Sequence, residues 1–79
     1  MPYYKVNFNL PYNRERRWHG PLDRASATVM EFIFLRDPNL VSQEEIERFV
    51  ERSFPGMYDQ RYVEEMLFDL YSNDWVVQR

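Results

Sequence analysis

The longest apolar run of the chain spans residues 27–35, Ala-Thr-Val-Met-Glu-Phe-Ile-Phe-Leu. Its β-branched and aromatic residues favour a strand, in which alternate side chains point to opposite faces. One face would carry Thr28, Met30, Phe32 and Phe34, and the other would carry Val29, Glu31, Ile33 and Leu35. Both faces are mostly apolar, so the predicted strand needs cover on both sides.

The same segment has a helical alternative. Apolar and small residues recur at helical spacing from Leu22 to Phe34, and Asp23 could serve as the N-cap. We favour the strand, because Thr-Val and Phe-Ile-Phe are typical strand sequences.

Two further segments show the pattern of strands. Residues 3–10 alternate, with Tyr4, Val6, Phe8 and Leu10 on one face and polar side chains mostly on the other. Pro11 ends this strand because proline lacks the amide donor. Residues 75–78 are short, mostly apolar and β-prone, which predicts a third strand. Between the first two strands, residues 11–25 are rich in turn-forming residues and predict a long loop.

Two helices are predicted in the second half of the chain. Ser42 and Glu45 form a capping box, which marks a helix start, and Phe54-Pro55-Gly56 ends that helix. Asp59 can cap a second helix, which ends at residues 72–74. Phe68 lies outside the apolar stripe of this second helix.

The predicted fold is a single α+β domain over residues 1–79: a small antiparallel three-stranded sheet with a helical hairpin on one face, in the order β-β-α-α-β. A chain of this size buries only about 60% of its unfolded surface. The second face of the strand predicted over residues 27–35 would therefore need Trp18 and Leu22 from the loop, or another chain. An uncovered row containing Met30, Phe32 or Phe34 would be an apolar interaction patch, and a two-fold dimer would use such a patch twice.

Composition narrows the class of protein. The chain has 79 residues, no cysteine and 14 aromatic residues, so we expect an ordered domain without disulfides or thiolate metal sites. With no apparent signal peptide and no apolar run of about 18 residues, we expect a cytoplasmic protein that makes no membrane contact.

The sequence offers no catalytic constellation. His19 is the one histidine, and no serine lies in a nucleophile-elbow context. Phosphate-cradling glycine motifs and calcium loops are absent as well. We expect a protein that is not an enzyme and that has no cofactor, no metal and no small-molecule substrate.

Charge is unevenly distributed. Residues 1–36 hold six basic and three acidic residues, whereas residues 37–79 hold four basic and ten acidic residues. Such asymmetry can mark an interaction surface. The basic half contains a candidate binding cluster: Arg14, Arg16, Arg17, Trp18, His19 and Arg24. In the acidic half, Glu44, Glu47 and Glu51 share one helix face and form a second candidate.

The basic cluster is open to three interpretations. Arginine and tryptophan are enriched at protein–protein hot spots, which favours a protein partner. Arginines beside an aromatic ring can also bind single-stranded nucleic acid, but the sequence pI of about 5.0 argues against a polyanionic partner. In the third interpretation, the arginines pair with carboxylates of the same chain and Trp18 folds over the sheet.

The leading hypothesis is a small protein-binding module that occupies the surface of a partner, either another protein or a second copy of itself. A more specific form is a virus-encoded inhibitor of a host or defence complex, acting in the host cytoplasm. The alternatives are a nucleic-acid-binding module that uses loop 14–24 and a purely structural homodimer subunit.

Overall fold

The computed structural model describes residues 2–79 and confirms the predicted α+β class with a three-stranded antiparallel sheet. The elements are β1 (Tyr3–Val6), α1 (Pro11–Arg14), α2 (Arg24–Arg36), β2 (Val41–Ser42), α3 (Gln43–Ser53), α4 (Gln60–Ser72) and β3 (Val76–Gln78). Strand β1 is central, and the sheet order is β2-β1-β3.

The central strand follows the alternation of its sequence, but it ends at Val6 and not at Pro11 as predicted, because residues 7–10 form a turn. Tyr4 and Val6 are buried under the helices, whereas Tyr3 is 44% exposed on the other face. Val6 is paired with Val76 of β3, and Tyr4 is paired with Val41 of β2. Burial raises the pKa of the Tyr4 phenol above its ordinary value. The sheet therefore has one apolar face and one face open to water.

The prediction of a strand over residues 27–35 is wrong, because this segment lies inside α2. Asp23 is the N-cap, and its carboxylate accepts a hydrogen bond from the Ser26 amide at 2.9 Å. The helix buries Val29, Met30 and Ile33. A satisfied cap and helical apolar spacing outweigh the β propensity of individual residues, which depends strongly on context.

Helix α2 obtains from its own chain the two-sided cover that its apolar residues require. It packs against β1 on one side and against α3 on another. Phe34 contacts the buried Trp18 ring edge-on, with a centroid distance of 5.6 Å. The inference that residues 27–35 need an external partner therefore loses its physical basis.

The second strand of the sheet is β2, a two-residue strand that the sequence pattern does not predict. It occupies the edge beside β1, so the order of elements is β-α-α-β-α-α-β. The predicted loop over residues 11–25 contains the short helix α1, which begins with Pro11. Proline is well suited to the first helical position, because the amide it lacks has no partner there.

The starts of α3 and α4 are those predicted. The Glu45 amide donates to Ser42 Oγ at 3.1 Å, and the Ser42 amide donates back to the Glu45 carboxylate at 3.3 Å. Asp59 caps α4 by accepting from the Tyr62 amide at 2.8 Å. Gly56, at φ 71°, lies in the turn between the two helices. Helices α3 and α4 pack against each other, and α4 also contacts β3.

Candidate functional site

Trp18, the aromatic member of the predicted basic cluster, lies in the core rather than on the surface. Its side chain is 2% exposed. The indole Nε1–H donates to Oδ1 of Asn13 at 2.8 Å, and Asn13 is itself fully buried. Trp18 therefore cannot stack on a base or contact a partner in this conformation.

Two arginines of the cluster interact with the chain itself. Arg14 Nη1 donates to the carbonyl oxygen of Phe8 at 2.8 Å. Arg16 Nη2 lies 3.1 Å from a Glu31 carboxylate oxygen, and its guanidinium lies 4.9 Å from the ring centroid of Phe34. This agrees with the interpretation in which cluster arginines pair with carboxylates of the same chain.

The remaining members of the cluster, Arg17, His19 and Arg24, are exposed. Arg17 pairs with Glu15 at 3.3 Å on the surface, and His19 is exposed. Arg24 lies 5.8 Å from the ring of Phe54, at the first residue of α2. Phe34, whose ring Arg16 covers, follows Arg24 by ten positions on α2, a separation of about 15 Å along the helix axis. The structure therefore separates Arg24 from Arg16 and removes the buried Trp18 from the exposed part of the cluster.

The predicted apolar row on residues 27–35 is also absent. Met30 is fully buried, and Phe32 stacks on Phe49 of α3 with a centroid distance of 4.2 Å. Phe34 is held between Phe8 and Trp18. Leu35, 66% exposed, is the large apolar side chain of α2 that remains on the surface.

The acidic surface of α3 continues onto α4, and the sequence alone does not show this continuity. The Gln43 side-chain amide donates to Glu47 at 3.0 Å and to Glu64 at 3.4 Å, so it links the two helices. Glu44 is exposed one helical turn before Glu47. Glu51 instead accepts a hydrogen bond from the Gly56 amide at 3.3 Å, at the turn that follows α3.

Phe68 lies on α4 beside the acidic residues of this helix. It is 67% exposed, and it lines a surface depression of 320 Å³ with Glu64, Glu65 and Asp69. We call the combined surface the acidic face; it consists of Glu44, Glu47, Glu64, Glu65, Phe68 and Asp69. The sequence signal that could have identified Phe68 is its position outside the buried apolar stripe of α4.

The carboxylates of the acidic face have no cationic partner within residues 2–79. The ion pairs in this part of the chain instead involve Asp37, Glu31, Glu15 and Glu45. The nearest basic residue along α4, Arg61, forms no ion pair in the described structure either. The basic loop therefore interacts partly with its own chain, whereas no ion pair within residues 2–79 neutralises the carboxylates of the acidic face.

A groove of 460 Å³ adjoins the acidic face, with which it shares Glu65 and Asp69, and lies between α4 and the segment that precedes α2. Tyr62 donates to the carboxylate of Asp23 across it, at 3.4 Å. Hydrogen bonds from the side chain and amide of Ser26 hold the pKa of Asp23 below its ordinary value. Partial burial and the negative charge of Asp23 raise the pKa of Tyr62. Near neutral pH, Asp23 is therefore anionic and Tyr62 is protonated.

Comparison with known proteins gives no match: no family model, no curated protein and no solved structure matches this chain. Within residues 2–79, no three His, Asp or Glu side chains are placed to hold a metal ion. No helix in this range is long and apolar enough to cross a membrane.

Proposed function

We propose that the protein is a non-enzymatic binding module whose acidic face covers a basic surface on another protein. The observation that carries the proposal is Phe68, an aromatic side chain left 67% exposed among carboxylates that have no cationic partner within residues 2–79. Large apolar side chains that are central in an interface dominate binding energy, and surrounding charges select the partner and accelerate encounter.

Charge complementarity favours a basic protein over the other partners. A polyanion would be repelled by the acidic face, and Trp18 is buried and unavailable for stacking. A second copy would bring two acidic faces together, and juxtaposed like charges disfavour such an interface. We therefore expect the isolated protein to be monomeric by light scattering and to show no retention on DNA or RNA at low salt.

A virus-encoded inhibitor is the most specific form of the proposal, acting in the host cytoplasm by covering a basic surface that its target uses for another contact. Competition tests this form: once the partner is identified, the protein would displace the partner's own ligand. Binding without displacement would leave a binding module that does not inhibit.

Matched substitutions test the proposal with affinity capture from the native cell. Phe68→Ala removes the exposed ring of α4, and Leu35→Ala removes a side chain of almost equal exposure, 66%, from α2. An aromatic hot spot contributes about 2 kcal/mol or more, so we expect the captured partner to bind Phe68→Ala about 30-fold more weakly and Leu35→Ala with unchanged affinity.

Two substitutions that each remove one negative charge complete the test. Glu64→Gln alters the acidic face, whereas Glu15→Gln alters the exposed Arg17–Glu15 pair elsewhere. We expect the first to weaken binding and the second to leave it unchanged. If Leu35→Ala and Glu15→Gln weaken binding as much as Phe68→Ala and Glu64→Gln, the acidic face is not the interface.

A further inference from the structure

The groove beside α4 combines an apolar floor with an anionic rim. Leu22, Met66, Leu70 and Trp75 supply apolar surface, and three carboxylates, Asp23, Glu65 and Asp69, line it as well. No lysine or arginine lies among the lining residues, all of which are in the described part of the chain. A suitable ligand therefore needs both an apolar stem and a positive charge.

The rim carboxylates leave negative charge that a ligand could balance. Glu65 and Asp69 are four residues apart on α4, an arrangement in which like charges repel. Asp23 lies across the groove and is hydrogen-bonded to Tyr62. A cation placed between these elements would reduce the repulsion on α4 and meet carboxylates from both sides.

We propose that this groove binds an arginine side chain presented by the partner of the acidic face. The inference rests on the proposed function, because Glu65 and Asp69 belong to both surfaces. Arginine fits better than lysine: its planar guanidinium is weakly hydrated, stacks on aromatic rings such as that of Trp75 and offers five donors to several carboxylates. Its aliphatic stem can pack on the apolar floor.

The groove is large enough for more than one side chain. Its 460 Å³ lies within the range of roughly 300–1,000 Å³ that small-ligand pockets span. The backbone and neighbouring residues of an arginine-containing peptide segment would therefore fill the remainder. Asn73, at the C-terminal end of α4, lines the groove and can form hydrogen bonds with that backbone.

Short capped peptides provide the test. One has a central arginine flanked by glycines, and two counterparts carry lysine or the uncharged arginine isostere citrulline. We titrate each into the isotope-labelled full chain and follow amide and indole NMR signals. We expect the arginine peptide to shift the Trp75 indole and Asn73 amide signals, the lysine peptide to bind at least threefold more weakly, and the citrulline peptide to cause no shift.

Charge-neutral variants locate the contact. Asp69→Asn and Glu65→Gln should each lower the affinity for the arginine peptide about three- to tenfold. Asp23→Asn should do the same while keeping an N-cap, because asparagine also caps helices. Glu44→Gln, outside the groove, should change nothing. Equal shifts with the citrulline peptide, or shifts that avoid Trp75 and Asn73, would overturn the assignment.

The outcomes also separate this inference from the proposed function. If Phe68→Ala weakens partner binding but Asp23→Asn does not, the acidic face stands and the arginine groove fails. If the groove binds the arginine peptide but the partner binds Phe68→Ala as tightly as the unmodified protein, the groove stands and the proposed function fails.

Discussion

Replacing Asn13 by alanine removes the polar contact that joins the loop, the sheet and the core. Asn13 is fully buried. Its Nδ2 group donates to the carbonyl oxygens of Asn7 at 2.7 Å and Trp75 at 2.9 Å, while Oδ1 accepts from the Trp18 indole. One side chain thus connects the end of β1, the residue before β3 and the largest buried ring.

The three contacts contribute unequally to stability. The two carbonyl oxygens keep another donor after the substitution, because Asn7 accepts from the Leu10 amide at 3.3 Å and Trp75 accepts from the Asn7 amide at 3.2 Å. The buried indole N–H has no second hydrogen bond in the described structure, and leaving such a donor unsatisfied costs about 1–3 kcal/mol. Adding about 0.5 kcal/mol for each carbonyl gives a loss of roughly 2–4 kcal/mol.

This loss is large for a chain of this size, whose total stability is roughly 4–12 kcal/mol. Urea unfolding followed by far-UV circular dichroism measures it. Asn9→Ala is the matched control, because Asn9 is exposed and surface substitutions usually change stability by less than about 0.5 kcal/mol.

A double-variant cycle with Trp18→Phe isolates the buried contact. Phenylalanine has no N–H, so Asn13→Ala should cost less in the Trp18→Phe background than alone. We expect a coupling of about 1 kcal/mol or more between the two sites. A cost for Asn13→Ala no larger than that for Asn9→Ala, or additive costs for Asn13→Ala and Trp18→Phe, would contradict a stabilising contact between Asn13 and Trp18.

Three further predictions concern stability. Ser42→Ala removes the cap of α3 and should lower the free energy of unfolding by about 1 kcal/mol, measured by urea unfolding; no change would mean that the cap is not formed. In the folded protein, hydrogen bonds from Ser26 lower the pKa of Asp23. The charged carboxylate therefore stabilises the fold at pH values above the ordinary carboxyl pKa. This stabilisation is lost as the pH falls through the lowered pKa of the folded state. Unfolding at pH 7, 5 and 3 should show Asp23→Asn losing less stability than the unmodified protein on acidification, whereas an equal loss would contradict the assignment. Phe32→Ala breaks the half-buried stack with Phe49 and should cost about 1.5–2.5 kcal/mol; a cost below about 0.5 kcal/mol would show that the stack contributes little.

The elements that the sequence predicted correctly carry local signals. The capping box at Ser42 and the cap at Asp59 specify their helices within a few residues. The alternation around Tyr4 and Val6 correctly identifies the side chains on the buried face of the sheet. Such signals depend on neighbouring residues alone and need no knowledge of tertiary contacts.

The elements that were missed depend on distant residues. Residues 27–35 form a helix because the sheet, α3 and Trp18 together cover its wide apolar surface, and β propensity does not report such contacts. Strand β2 has two residues, too few to show a period.

The candidate site was predicted only in part, for the same reason. The hydrogen bond from Trp18 to Asn13 removes the aromatic ring from the basic cluster, and no spacing rule indicates it. The acidic residues of α3 were identified, but their connection to Phe68 arises from the packing of α3 on α4 through Gln43.

Carboxyl labelling of the protein bound to its partner tests the proposed interface most directly. Mass spectrometry reports how strongly each carboxylate is protected when the complex forms. We predict strong protection of Glu64, Glu65 and Asp69 and unchanged labelling of Glu15 and Glu31. Protection of Glu15 and Glu31 with unchanged labelling of the three α4 carboxylates would contradict the proposal.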